Sequence, residues 1–169
     1  MKVKAVNLMS SDIFINNFKN VFENTSSISV SAEKLRPFEN KKHMIKTFLN
    51  EFDKLTVNNK KNIINNHPDL GNKFKINNDL TEMSMNEQKN AGLENCTEEE
   101  FFLFKKLNNE FKSKFDIPFI FAVKGKNKSI IIEEFKKRLQ NDNIEKEVEE
   151  SIRQVKQIAN FRLNEIVDE

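Results

Sequence analysis

Apolar residues recur along this chain at helical spacing. Phe14, Phe18, Val21 and Phe22 stand at i, i+4, i+7 and i+8 behind Ser10 or Ser11, either of which can cap a first turn, so the spacing predicts a helix over 11–23. Met44, Phe48, Phe52 and Leu55 repeat the pattern behind an Asn40 cap, and a shorter helix is expected over Val57 to Asn66, ended by Pro68. Thr97 with Glu100 forms a capping box ahead of Phe101, Phe104, Leu107 and Phe111, and Ser129 precedes Ile131, Phe135 and Leu139. Asp142 with Glu145 opens the longest helix, in which Ile144, Val148, Ile152, Val155, Ala159, Leu163 and Ile166 keep one apolar face for about six turns. No alternating run is long enough for a strand, and there is no fixed-period repeat and no Pro- or Ser-rich linker. The expected fold is all-α, a single-domain helical bundle over 1–169 with one extended apolar segment near 117–124. The Asn- and Lys-rich stretch from Asn58 to Asn78 has lower apolar density than its flanks and is expected to hold a long loop.

Composition narrows the function classes. At 169 residues the chain fits one core. Its 28 Lys and Arg against 26 Asp and Glu leave a net charge of +2 with the signs interspersed, which offers no basic field for phosphates and argues against nucleic acid as a partner. The longest apolar run, Ile117 to Val123, is far short of the ~20 residues that span a bilayer, so no membrane segment is expected. The single cysteine, Cys96, can form no internal disulfide and no zinc-type set; it lies among Glu94, Glu98, Glu99 and Glu100, which disfavours a thiolate. A reducing compartment and no structural metal site are expected on that ground, and secretion is disfavoured because the apolar stretch after Lys2 and Lys4 is too short and too polar for a signal peptide. The final Val167-Asp168-Glu169 is not a peroxisomal tripeptide, so the cytoplasm is the expected location.

The rare residues cluster. The chain has three Gly, three Pro and two His, and one of each lies in His67-Pro68-Asp69-Leu70-Gly71. Such positions demand special backbone paths, either tight loops or a site. His67 titrates near neutrality and suits general acid/base work if it lines a cavity; a His before Pro at a helix end also serves as a capping or surface residue. His43, among Lys41, Lys42 and Met44, reads as surface. Ser84-Met85-Asn86-Glu87 matches a Ser-x-x-Glu capping box, and the same helix start could instead receive an anionic ligand. The backbone groups of Ile117 to Val123 need partners, which a polar ligand or neighbouring side chains could supply. Arg162, at the edge of the last helix's apolar face, is either a snorkelling residue or a bidentate clamp for a carboxylate.

In order along the chain, Val21-Phe22-Glu23, Leu35-Arg36-Pro37-Phe38, His67-Pro68-Asp69-Leu70, Ser84-x-x-Glu87-Gln88 with Ala91-Gly92-Leu93, Phe115-x-x-Pro118-Phe119-Ile120, Arg138-Leu139-x-Asn141 and Arg162-Leu163 together resemble the 2-oxo-4-hydroxy-4-carboxy-5-ureidoimidazoline decarboxylases of urate degradation. The resemblance runs from about residue 12 to 167. It departs at Thr25-Ser26-Ser27, where Ser-Pro-Trp is usual, and at Gly71-Asn72, where Ala-Gly is common. It implies an all-helical, commonly dimeric enzyme with no metal or organic cofactor, making (S)-allantoin. By matching positions, His67 is implied as general acid/base and Glu87 as its partner in proton handling. Ser84, Gln88 and Arg162 become polar anchors, and Pro68 and the backbone of Phe119, Ile120, Phe121, Ala122 and Val123 line the pocket. The competing reading is a non-catalytic helical interaction module, in which the capping box and Phe-rich faces serve packing alone; loss of His67 and Glu87 separates the two.

Overall fold

Ser10, Asn40, Thr56, Thr81, Thr97 and Asn127 each accept a hydrogen bond from the backbone N–H three residues on, and each opens an α-helix. The computed structural model describes residues 1–71 and 80–169. Along them run α1 (Val3–Asn7), α2 (Ser11–Phe18), α3 (Ser27–Glu33), α4 (Lys41–Asp53), α5 (Val57–Asn65), α6 (Glu82–Asn90), α7 (Glu98–Phe115), α8 (Lys128–Leu139) and α9 (Ile144–Ile166), with a 3-10 turn at Leu93–Asn95. Among the described residues no strand forms, and the one β-type contact is an isolated parallel bridge between Lys2 and Asp168. The all-α expectation holds.

Several boundaries differ from the expectation, each for a local reason. The first helix ends at Phe18 rather than near 23, and a turn through Asn24, at φ 47°, carries Val21 and Phe22 into the core off the helix. α8 is capped by Asn127 instead of Ser129, and α9 by Asn143 instead of Asp142, since Asn143 Oδ1 accepts from Lys146 N–H at 2.9 Å. Asp142 pairs with Lys114 at 2.7 Å, and that hydrogen bond, followed by the lysine's charge, holds its carboxyl below the usual range. Ile144 is 51% exposed, so the apolar face of α9 begins at Val148. Residues 58–65 of the expected loop are helical; its part at 72–78 lies outside the described residues. The periodicity also missed α1 and α3, two short helices.

The described residues divide into two compact units, Met1–Asn66 with Lys156–Glu169, and His67–Val155. The first buries Phe14, Phe18, Phe22, Phe38, Phe48 and Phe52, with Phe22 stacked on Phe52 at 4.9 Å. Arg36 ties it together: Nη1 donates to the carbonyls of Val6 and Met9 at 3.2 and 2.6 Å, Nη2 to Glu33 at 2.5 Å, and the guanidinium lies 4.9 Å from the Phe14 ring centre. The Arg36-Pro37 bond is cis. Where the chain has Thr25-Ser26-Ser27, the Thr25 hydroxyl donates to Glu23 O and accepts from Asn66 Nδ2, and Ser26 precedes α3. The second unit is centred on Phe104, Phe111, Phe115, Phe119 and Phe135, with Phe119 stacked on Phe135 at 3.6 Å.

Candidate active site

Thr81, rather than Ser84, caps α6: its hydroxyl accepts from Ser84 N–H at 3.3 Å. Ser84 thus sits a turn inside the helix, and the expected Ser84–Glu87 capping box does not form. Ser84, Glu87, Gln88 and Ala91 then fall at i, i+3, i+4 and i+7, one face of the helix. Ser84 and Ala91 are buried and Glu87 and Gln88 half-buried, whereas Met85, Asn86, Lys89 and Asn90 are exposed. An inward stripe made of a hydroxyl, a carboxyl and an amide is unlike a packing face, because polar groups enter an interior only with partners to meet there.

α5 ends at Asn65, as expected of a chain whose next residues are His67 and Pro68, since a residue before Pro avoids the helical region. His67 is 9% exposed. The loop it begins is pinned to α6 by Gln88, whose Nε2 donates to Asp69 O and whose Oε1 accepts from Gly71 N–H, both at 3.2 Å. From α7, Asn108 Nδ2 donates to Leu70 O at 2.9 Å and Lys112 pairs with Asp69 at 2.6 Å. Gly71 adopts φ 73°, and a Cβ there would lie 2.6 Å from Phe104 Cγ. The loop bearing His67 and Pro68 is therefore tied to the helix bearing Ser84, Glu87 and Gln88.

The segment Phe119–Val123 is non-helical and mostly buried, with Phe121 half-buried. Two of its backbone groups go to side chains: Ile120 O accepts from Arg138 Nη1 at 2.5 Å, and Ala122 N–H donates to Gln154 Oε1 at 2.9 Å. For these, neighbouring side chains answer the question left open by the sequence. Arg138 is 5% exposed; it pairs with the buried Glu147 through Nε at 2.9 Å and through Nη2, bonds Ser151, and lies 4.6 Å from the Phe119 ring centre. The open groove of about 510 Å³ beside that pair, reaching Lys137, Lys146, Glu149 and Arg153, carries none of the sequence candidates.

Arg162 belongs to the first unit and the other candidates to the second. Arg162 is 2% exposed, with Nη1 2.9 Å from Glu23 Oε2 and 2.9 Å from Asn20 O, so it is buried rather than snorkelling. Cys96 is buried and donates to Leu93 O at 3.3 Å, in keeping with an inert thiol. Asn108, Lys112, Glu147 and Gln154 escaped the sequence reading, and Arg138 entered it only as part of a motif. A signal existed for two of them. Asn108 stands four residues after Phe104 and Arg138 seven after Ile131, each a polar break in an otherwise apolar stripe. Among the described residues no group of three or more His, Cys, Asp or Glu could hold a metal, and no helix is long and apolar enough to cross a membrane.

The family model described as OHCU decarboxylase matches residues 7–164. Over 169 residues the chain is 37% identical to the uric acid degradation bifunctional protein of Bacillus sp. (strain TB-90), covering all of this chain but only 33% of that protein. It is 31% identical to the 2-oxo-4-hydroxy-4-carboxy-5-ureidoimidazoline decarboxylase of Amia calva, covering 99% of this chain and 95% of the relative. The protein of the same name from Xenopus laevis is 30% identical, at 96% and 93% coverage. Among solved structures, (S)-allantoin synthase superimposes with a TM-score of 0.78 at 20% identity, over 99% of this chain and 55% of that one. An OHCU decarboxylase crystallised in the presence of (S)-allantoin gives 0.71 at 19% identity, over 88% and 96%. The two structures speak for the fold, and the long match at 30% identity or above speaks for descent. This chain belongs to the OHCU decarboxylase family.

Proposed function

We propose that the protein decarboxylates 2-oxo-4-hydroxy-4-carboxy-5-ureidoimidazoline to (S)-allantoin in urate degradation. It is a carboxy-lyase. The observation that carries the site assignment is the polar inward stripe of α6, joined through Gln88 to the His67 loop. In this reading the C–CO2 bond breaks and its electron pair moves toward the adjacent ring C=N. The ring itself holds the charge that a cofactor would otherwise take. The former imine nitrogen takes up a proton, the neighbouring hydroxyl gives up its own as a carbonyl forms, and a second proton is delivered to the former imine carbon, a net uptake of one proton as CO2 leaves. His67 is the general acid/base for these transfers, with Glu87 as its partner. Delivery from one fixed face makes a single enantiomer.

Ser84, Gln88 and Pro68, with the backbone of Phe119, Ile120, Phe121, Ala122 and Val123, bind the ring and ureido groups in this proposal. Arg162 keeps the role of polar anchor on the resemblance alone. The proposal uses no metal and no organic cofactor, takes the whole of 1–169 as one domain, supported by a family match that runs through both units, and places the enzyme in the cytoplasm as a homodimer.

The test is circular dichroism of substrate generated freshly from urate by urate oxidase and hydroxyisourate hydrolase. Wild-type protein is expected to bring up the (S)-allantoin signal quickly. His67→Ala and Glu87→Gln should each lose at least about 100-fold in rate with their helical content intact. A folded wild type that leaves spontaneous decay unchanged would return the chain to the reading as an interaction module.

A further inference from the structure

One stripe of α7 faces the His67 loop. Phe104, Asn108 and Lys112 stand at i, i+4 and i+8, and they meet the loop in reverse order. The Phe104 ring lies against Gly71, Asn108 Nδ2 donates to Leu70 O at 2.9 Å, and Lys112 reaches the Asp69 carboxylate at 2.6 Å. Asn108 is the buried centre of the three, 3% exposed. Its NH2 group faces two carbonyls, Leu70 O and Phe104 O, both at 2.9 Å, which fixes the amide orientation, because the reverse would set oxygen against two oxygens. Its Oδ1 is then buried with no partner among the described residues. A residue kept for packing alone would be apolar here, since an unpaired buried acceptor lowers stability.

We propose that this stripe is a splint for the acid/base loop, and that Asn108 is a positioning residue that sets where the His67 imidazole sits without touching substrate. The inference rests on the reading of His67 given above. Gln88 holds the loop at Asp69 and Gly71 from α6, and Asn108 holds the residue between them from α7. With both in place the loop backbone is fixed at three consecutive residues, starting two positions after His67. Proton transfer is steep in geometry, so a small slackening of this loop costs rate while leaving in place the binding groups outside it, Ser84 and the backbone of Phe119–Val123.

The chain has two histidines, so its imidazole Cε1–H signals can be read individually by NMR. His43, in α4, accepts from Glu39 N–H at 3.1 Å in the other unit and is an internal reference. The experiment compares wild type with Asn108→Ala, Lys112→Met and Lys106→Met, an α7 residue off the stripe. In Asn108→Ala the His67 resonance should move and the His43 resonance stay. The kcat should fall about tenfold or more, with KM within about twofold. Lys112→Met should move His67 in the same sense but less, and Lys106→Met should change neither signal. If Asn108→Ala does not fold, Lys112→Met, a surface change, decides the matter. An unmoved His67 signal with unchanged kcat in the folded variants overturns the splint. A wild type without decarboxylase activity would sink the functional reading instead, and the His67 resonance would still report whether the stripe holds the loop.

Discussion

At the scale of single residues, Gly71 is the most constrained position in the His67 loop. Its φ of 73° is open to Gly and strained for other residues, and the Phe104 ring occupies the space a Cβ would take, with Cγ, Cδ2 and Cβ at 2.6, 2.8 and 3.0 Å. Gly71→Ala meets both costs, about 1 kcal/mol for the left-handed backbone and roughly 1–3 kcal/mol for overpacking. Its expected loss of about 2–4 kcal/mol would be read from urea midpoints at constant slope. Gly92, also at positive φ, has nothing within 4 Å of its would-be Cβ, so Gly92→Ala should lose only the backbone part. A second variant separates conformation from contact, since Phe104→Leu should relieve part of the clash in Gly71→Ala. The sequence marked Gly71 as a special path because it stood beside His67 and Pro68. It could not name Phe104 as the reason, because that contact joins residues 33 positions apart.

Elements show the same division between what is local and what is not. Caps and faces of α4 and α7 were legible, since an N-cap, its partner three residues on and an apolar stripe all lie within one turn or two. α3 was not. Its sequence, Ser-Ile-Ser-Val-Ser-Ala-Glu, is poor in strong helix formers, and Arg36 clamps its end by holding Glu33 while bonding the carbonyls of Val6 and Met9. That clamp has a pH signature. The Arg36 hydrogen bond, then the one from Ser11, hold the Glu33 carboxyl below its ordinary 4.5. The folded state therefore binds protons there less readily than the unfolded chain. The contribution is fully present above about pH 4.5 and is lost as pH falls through the lower folded value. Glu33→Gln should remove that part of the acid-side slope of stability and leave the profile near neutrality flat, which urea titrations from pH 3 to 7 would show. Between α8 and α9 the Arg138–Glu147 pair is buried at 5% and 1% exposure, so removing one partner strands the other. Arg138→Met alone should lose about 3–5 kcal/mol, and Arg138→Met with Glu147→Leu should recover most of it, a pattern a double-mutant cycle resolves.

For the whole molecule the question is whether the two compact units are two domains or one. α9 runs without a break from Ile144 to Ile166, yet residues up to Val155 belong to the second unit and those from Lys156 to the first. A helix is cooperative along its length, because each N–H bonds the carbonyl four residues back and a new end leaves unsatisfied groups on both sides of a cut. Fraying α9 at 155 would open a fresh helix end within a stretch where Val155, Ile158, Ala159 and Leu163 are all buried. The chain should therefore unfold in one transition, as expected of a single domain spanning the 7–164 family match. With neither Trp nor Tyr, intrinsic fluorescence is not usable, so the probes are helical circular dichroism for the backbone and the two histidine resonances, His43 for one unit and His67 for the other. Coincident urea midpoints for all three probes are the expected result. A His67 signal lost at lower urea than His43 would make the units separately stable and would divide at residue 155 a helix whose apolar periodicity reads as continuous. In a variant carrying Val155→Gly the coincidence is the sensitive quantity: a helix that couples the units should weaken both resonances' midpoints together, by the same free energy, rather than one alone.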